Sequence, residues 1–129
     1  MATILVADDD AVTVRLLAAT LQRAGFQVAS AMDAMQAVRS AHKSAPDAIV
    51  MDVMMPAGSG LNALKQIKAS SLTQLIPVIA ISASIDTDLP ARMLAAGADD
   101  FLPKPVDLVL LVETLRRVLG MPPAPPPPA

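Results

Sequence analysis

The sequence predicts an α/β domain, a doubly wound parallel sheet of five strands with helices on both faces. Two observations carry that prediction. Short apolar runs alternate five times with stretches whose apolar residues recur at helical spacing, the pattern of successive βα units. Polar residues then stand where the runs stop: Asp8 and Asp9, Asp52, Ser82, and Lys104 just past Phe101-Leu102. A parallel sheet gathers such residues at its carboxyl edge, where open α/β sheets bind ligands.

Residues 3–7 (Thr-Ile-Leu-Val-Ala) read as the first strand. Asp10 is placed to cap the helix that follows, which carries Val14, Leu17, Ala18 and Leu21 on one face and ends at Gly25. Phe26 to Ala31 is a shorter strand. Asp33 caps a second helix with Met35, Val38 and His42, stopped before Pro46. Residues 48–51 form a continuously apolar third strand, as expected when both faces are covered.

A turn-rich loop from Met54 to Gly60 leads into a helix over Leu61, Leu64, Lys65 and Ile67. Pro77 opens the fourth strand, a position that needs no ladder donor. Asp88 and Pro90 begin a helix through Ala96 that Gly97 closes. Phe101-Leu102 is the core of the fifth strand. Asp107 caps the last helix, whose Leu108, Leu111, Val112, Leu115 and Leu119 make a buried stripe.

These elements fill residues 1–120, one domain. Residues 121–129 switch to a proline-rich tail expected to be extended polyproline II. It reads as a frayed terminus or linker stump; a PxxP-type ligand is the alternative, without a flanking basic residue in the sequence to orient it.

Composition narrows the function. Of the 129 residues, 53% are hydrophobic but only 2% aromatic, with no Trp or Tyr. The core is therefore aliphatic, and stacking platforms for bases are missing. A net charge of −2 and the lack of a basic run argue against direct nucleic-acid binding. The absence of Cys excludes disulfides and thiolate chemistry and fits a reducing cytoplasm. Every apolar run falls short of the roughly 20 residues needed to cross a bilayer, and the N-terminus lacks the features of a signal peptide. A cytoplasmic protein without membrane contact is the expectation.

An order of 2-1-3-4-5 puts the first and third strands side by side at the switch point, so Asp8 and Asp9 face Asp52. Converging carboxylates repel unless a hard divalent cation sits between them, and Mg²⁺ suits carboxylates, water and phosphoryl oxygens. Lys104 can neutralise a phosphoryl oxygen or the Asp52 carboxylate, and Ser82 can donate to the same group. This chemistry is that of a metal-dependent phosphoryl site.

Four motifs then carry a family resemblance: Val6-Ala7-Asp8-Asp9; Met51-Asp52-Val53-Met54-Met55-Pro56 with Gly60 following; Val78 to Ala83 around Ser82; and Gly97-Ala98 through Leu102-Pro103-Lys104-Pro105. In that order the chain resembles a receiver domain of bacterial two-component response regulators, a flavodoxin-like, chemotaxis-response-regulator-like fold, from about Thr3 to Leu119. The resemblance implies that Asp52 is the phosphoacceptor for a phosphohistidine on a partner histidine kinase or phosphotransfer protein. It makes Asp9 a direct Mg²⁺ ligand, Asp8 a ligand directly or through water, and the Met54 backbone carbonyl a further ligand beside Asp52. Ser82 corresponds to the switch hydroxyl, Phe101 to the aromatic switch, and Lys104 to the site lysine with a cis bond to Pro105. The output surface it implies is the face of the fourth helix, fifth strand and last helix, toward a protein target or a homodimer.

Plainer readings stand beside these. Asp10 is only a helix cap, and Phe101 is as well read as core. Val109 and Leu110, off the buried stripe, are either a partner patch or ordinary exposed residues. His42, the sole histidine, lies mid-helix away from the site, so a phosphoryl donor comes from outside. Met54 and Ser84, two residues after Asp52 and Ser82, border the path of a hydrolytic water and leave the lifetime of a phosphorylated form open. A phosphatase of the haloacid-dehalogenase type would use Asp52 as nucleophile but needs an acid/base aspartate where Met54 stands. A phosphorylation-independent scaffold would require that the site not bind Mg²⁺.

Overall fold

The computed structural model describes residues 1–55 and 60–123. The centre of the predicted Met54–Gly60 loop and the end of the proline-rich tail lie outside the described residues. Five strands, β1 (Thr3–Ala7), β2 (Gln27–Ala31), β3 (Ala48–Asp52), β4 (Val78–Ser82) and β5 (Asp100–Pro103), alternate with five helices, α1 (Ala11–Arg23), α2 (Ala34–Ser44), α3 (Gly60–Ala69), α4 (Leu89–Ala95) and α5 (Leu108–Val118). All strand pairs are parallel, in the order β2-β1-β3-β4-β5. This is the doubly wound sheet that the alternation predicts.

Period-2 alternation divides the core. Leu5, Ile49, Met51, Val78 and Ala80 pack with α2, α3 and α4 on one face. Ile4, Val6, Val50, Ile79 and Ile81 pack with α1 and α5 on the other. β1, β3 and β4 are buried along almost their whole length, which is why they read as unbroken apolar runs.

Several local expectations change. α2 buries Ala34, Ala37 and Ala41, while Met35 is exposed and Val38 half-buried. Alanines at i, i+3 and i+7 let this helix lie close to the sheet, and a larger side chain there would hold it off. His42 stands in the last turn of α2 rather than mid-helix, exposed, with its ring nitrogens 2.9 Å from the Val38 carbonyl and 3.1 Å from Ser70 Oγ. Asp88 makes no side-chain cap for α4: its backbone is already helical (φ −86°, ψ −14°) rather than extended, so the carboxylate is not turned toward the first-turn amides. Phe26 is buried but precedes β2, and Pro77 precedes β4, its carbonyl accepting from Ile49 N at 2.9 Å. In α5, Leu111, Thr114 and Leu115 are buried while Leu108, Val112 and Leu119 are only partly so. Thr114 tolerates burial because Oγ1 donates to the Leu110 carbonyl at 2.7 Å.

The caps at Asp10, Asp33 and Asp107 form as expected, accepting from Val12, Gln36 and Leu110 amides. No helix among the described residues is long and apolar enough to cross a membrane.

Candidate phosphoryl site at the carboxyl edge of the sheet

Asp8 follows the last residue of β1 and is fully buried, its amide donating to the Ala31 carbonyl of β2 at 3.0 Å. Asp52 closes β3 and is only 4% exposed. Both carboxylates are tied to the chain just beyond them. Asp8 Oδ1 accepts from Asp10 N at 2.9 Å, and Asp52 Oδ1 accepts from Met54 N at 3.0 Å. These short turns engage each Oδ1 and leave each Oδ2 to Lys104 Nζ. Pairing of Val53 N with the Ile81 carbonyl, 3.0 Å, sets the end of β3 against β4.

Lys104 closes the group. Its amide donates to the Ser82 carbonyl at 2.8 Å, which anchors the residue as β5 ends. Its Nζ then donates to Asp8 Oδ2 at 2.8 Å and to Asp52 Oδ2 at 3.0 Å. Partial burial alone would lower the pKa of this ammonium, but the hydrogen bonds and charges of Asp8 and Asp52 outweigh it and hold the pKa above its ordinary value. The Lys104–Pro105 bond is cis, as the resemblance implies.

Asp9 is exposed at the mouth, and Asp8, Asp9 and Asp52 each bring one oxygen within 4.8 Å of the others. Three carboxylates against the single Lys104 ammonium leave an excess of negative charge on an all-oxygen donor set. That composition fits a hard divalent cation such as Mg²⁺. Ser82 is buried beside Asp52 and Lys104, with Oγ accepting from Ser84 N at 3.0 Å. Phe101 is half-buried on β5 against the α2–α3–α4 side of the core. The Met54 side chain is 67% exposed, and its amide is the group that donates to Asp52 Oδ1.

Asp10 stays outside the cluster as a cap. The Thr13 hydroxyl and then the Val12 amide hold its carboxyl below the usual value. Thr13 goes unread in the sequence, and Gly60 reads there as part of a motif without its packing role. Thr13, three residues after Asp10, donates to Asp10 Oδ2 at 2.8 Å, a spacing that signals a reinforced cap. Gly60 starts α3 directly against β3: a Cβ there would lie 2.5 Å from the Asp52 carbonyl oxygen and from Val53 Cα. His42 and Ser70 lie on the final turn of α2 and just past α3, apart from this group.

Residues 4–116 match the family model described as "Response regulator receiver domain". The chain is 39% identical over 116 residues to the transcriptional regulatory protein PrrA of Mycobacterium tuberculosis, covering 90% of this chain and 49% of that protein. It is 40% identical over 117 residues to the response regulator PleD of Caulobacter vibrioides, covering 91% of this chain and 26% of that one. The chain thus spans half or less of these curated relatives. Among solved structures it is similar to the chemotaxis response regulator CheY4 of Vibrio cholerae, with a TM-score of 0.84, 31% identity, and coverage of 92% of this chain and 98% of that chain. It is also similar to the receiver domain of the sensor histidine kinase PA1611 of Pseudomonas aeruginosa, solved with a magnesium ion coordinated in its active-site cleft. There the TM-score is 0.85 and the identity 34%, over 92% of this chain and 98% of that one. The chain belongs to the response regulator receiver domains, the signalling modules of two-component systems.

Proposed function

We propose that this receiver accepts a phosphoryl group on Asp52 from a phosphohistidine of a partner histidine kinase or phosphotransfer protein, in a Mg²⁺-dependent reaction. The observation that carries the proposal is the Lys104 ammonium between Asp52 and Asp8, with Asp9 beside them. A carboxylate oxygen of Asp52 attacks phosphorus, the phosphorus–nitrogen bond breaks, and its electron pair returns to the imidazole of the donor. An acyl phosphate remains on Asp52. Lys104 balances the charge on the phosphoryl oxygens, and the Ser82 hydroxyl would turn to donate to one of them.

Asp8, Asp9, Asp52 and the Met54 backbone carbonyl would hold Mg²⁺. When bound, the ion supplies positive charge that lets the carboxylates and the phosphoryl oxygens approach. The magnesium reported in the PA1611 receiver supports this reading. His42, the one histidine in this sequence, is engaged at the end of α2, so in this reading the donor lies outside the receiver domain.

The phosphorylated aspartate then biases a two-state element. We assign the output to the α4–β5–α5 face, where Leu94, Val109 and Leu110 are exposed, toward a downstream protein or a second copy. In this reading the receiver domain occupies residues 1–120 in the cytoplasm, and 121–129 is a proline-rich tail or linker. Autophosphorylated histidine kinases incubated with wild type and Asp52→Asn test the proposal. Label is expected on the wild type alone, and equal label on both proteins would overturn it.

A further inference from the structure

The segment between β4 and α4 is built as a ladder. The Ser82 hydroxyl oxygen accepts from Ser84 N at 3.0 Å, the Ser84 hydroxyl oxygen accepts from Asp86 N at 3.1 Å, and Asp86 Oδ1 accepts from Asp88 N at 2.9 Å. Three successive side chains thus hold the amide two residues onward, and Ser84 and Asp86 each donate to the rung behind while accepting from the rung ahead. The last rung is tied to the helix. Arg92 Nη1 reaches Asp86 Oδ2 at 3.3 Å, the Asp86 carbonyl accepts from Leu89 N at 3.2 Å, and the Asp88 carbonyl accepts from Arg92 N at 3.1 Å. Leu89 and Met93 are buried in the core on that face.

The two ends of this ladder differ in burial. Ser82 is 1% exposed at the strand end beside Asp52, whereas residues 83–88 are all exposed. The loop has little packing of its own to fix its path, so the alternating side-chain bonds set it.

We propose that Ser84 is a positioning residue: through its hydroxyl it ties the Ser82 side chain to the first turn of α4, and a change at Ser82 reaches α4 by displacement of these rungs. This rests on the phosphoacceptor reading above and names the route of its regulation. A hydroxyl has one hydrogen to donate and two lone pairs to accept with. If Ser82 Oγ turns toward a phosphoryl oxygen on Asp52, its lone pair leaves Ser84 N, and the freed amide must follow or find water. The Ser84 backbone then moves, carrying the acceptor of Asp86 N with it. Asp86 passes that shift to α4 through its own amide, its carbonyl and the Arg92 pair. Without the Ser84 hydroxyl the chain of rungs is cut at its centre, while the chemistry at Asp52 keeps all its groups.

The test uses the full chain as Ser84→Ala, with Ser84→Thr as the conservative variant, followed by amide hydrogen exchange and amide chemical shifts. Without activation, Ser84→Ala should speed exchange at Asp86 N roughly fivefold, the loss of about one hydrogen bond, and leave Ser84 N unchanged. Ser84→Thr should restore protection. With beryllofluoride and Mg²⁺, wild type should shift amides flanking Asp52 and amides of Leu89–Met93. Ser84→Ala should keep the first set and lose at least half the amplitude of the second, and Ser84→Thr should recover it. An α4 response of full amplitude in Ser84→Ala overturns the proposal, as does unchanged exchange at Asp86 N. If wild type shows no shifts around Asp52 at all, the phosphoacceptor reading falls and takes the coupling with it; the exchange measurement still judges the ladder by itself.

Discussion

Replacing Gly60 by alanine should damage the fold and the site together. A Cβ at Gly60 would sit 2.5 Å from the Asp52 carbonyl oxygen, 2.5 Å from Val53 Cα and 2.9 Å from the Val53 carbonyl oxygen, whereas ordinary contact begins at 3.4 Å. Relief needs a movement of about 0.9 Å (3.4 − 2.5). All three atoms are backbone, so no flexible side chain can absorb it. The start of α3 must lift off β3, stretching the 2.9 Å bond from Gly60 N to the Val53 carbonyl, or Asp52 itself must shift. Overpacking of this kind costs about 1–3 kcal/mol, and a weakened hydrogen bond adds about 1 kcal/mol. Better helix propensity returns about 1 kcal/mol. The net expectation is a loss of about 1–3 kcal/mol, read as a lower urea midpoint with unchanged slope. Because a displacement near 1 Å at a reacting group costs on the order of 100-fold in rate, phosphorylation by acetyl phosphate should slow by at least about tenfold. Gly25→Ala is the control. Nothing lies within 4 Å of its Cβ and its φ is +97°, so it should lose stability by backbone strain, about 1–2 kcal/mol, with the phosphorylation rate unchanged. Wild-type stability and wild-type phosphorylation in Gly60→Ala would show that the contact between α3 and β3 does not hold Asp52 in place.

Three further outcomes follow from the same geometry. Asp9→Ala should remove the rise in melting temperature that Mg²⁺ gives the wild type by binding the folded state, and in metal-free buffer it should be as stable or more so, because one of three converging carboxylates is gone; paired thermal scans with and without Mg²⁺ decide it. The folded-state value of Lys104 is raised above the ordinary 10.5, so the stability it contributes is complete below that pH and is lost as pH rises through the folded value. Lys104→Met should therefore flatten the alkaline fall in urea midpoint above about pH 10.5; an unchanged alkaline slope would count against the Lys104 pairings. Asp107→Ala should cost about 1 kcal/mol through loss of the 3.0 Å bond from Leu110 N, measured by urea unfolding, without changing phosphorylation of Asp52.

The sheet was legible because β1, β3 and β4 are buried on both faces, and burial on both faces leaves only apolar side chains in the run. The site was legible for a related reason: a carboxylate or ammonium directly after such a run has nowhere to go except the sheet edge. Asp8, Asp9, Asp52, Ser82 and Lys104 all stand there. The misread features depend on distances that a periodic pattern does not contain. Met35, Val38 and His42 mark α2 as a helix, but its buried face is set by close approach to the sheet, which favours Ala34, Ala37 and Ala41 and leaves Met35 outside. Asp88 has the residue type of a cap, but Asp86 already holds its amide and its backbone is helical before α4 begins. The sharing of Lys104 between Asp8 and Asp52, and the fit of Gly60 against Asp52, follow from strand register and helix placement. The alternating turns from Ser82 to Asp88 leave only a run of polar residues at every second position, 82, 84, 86 and 88, as their trace in the sequence.

Whether Asp52 carries the phosphoryl group is decided by site mapping with mass spectrometry after treatment with acetyl phosphate and Mg²⁺, with reduction by borohydride to mark the acyl phosphate at the residue that bore it. A single modification is expected, at Asp52, absent in Asp52→Asn and absent when Mg²⁺ is chelated. Modification at another aspartate in the wild type, or undiminished labelling of Asp52→Asn, would contradict that assignment.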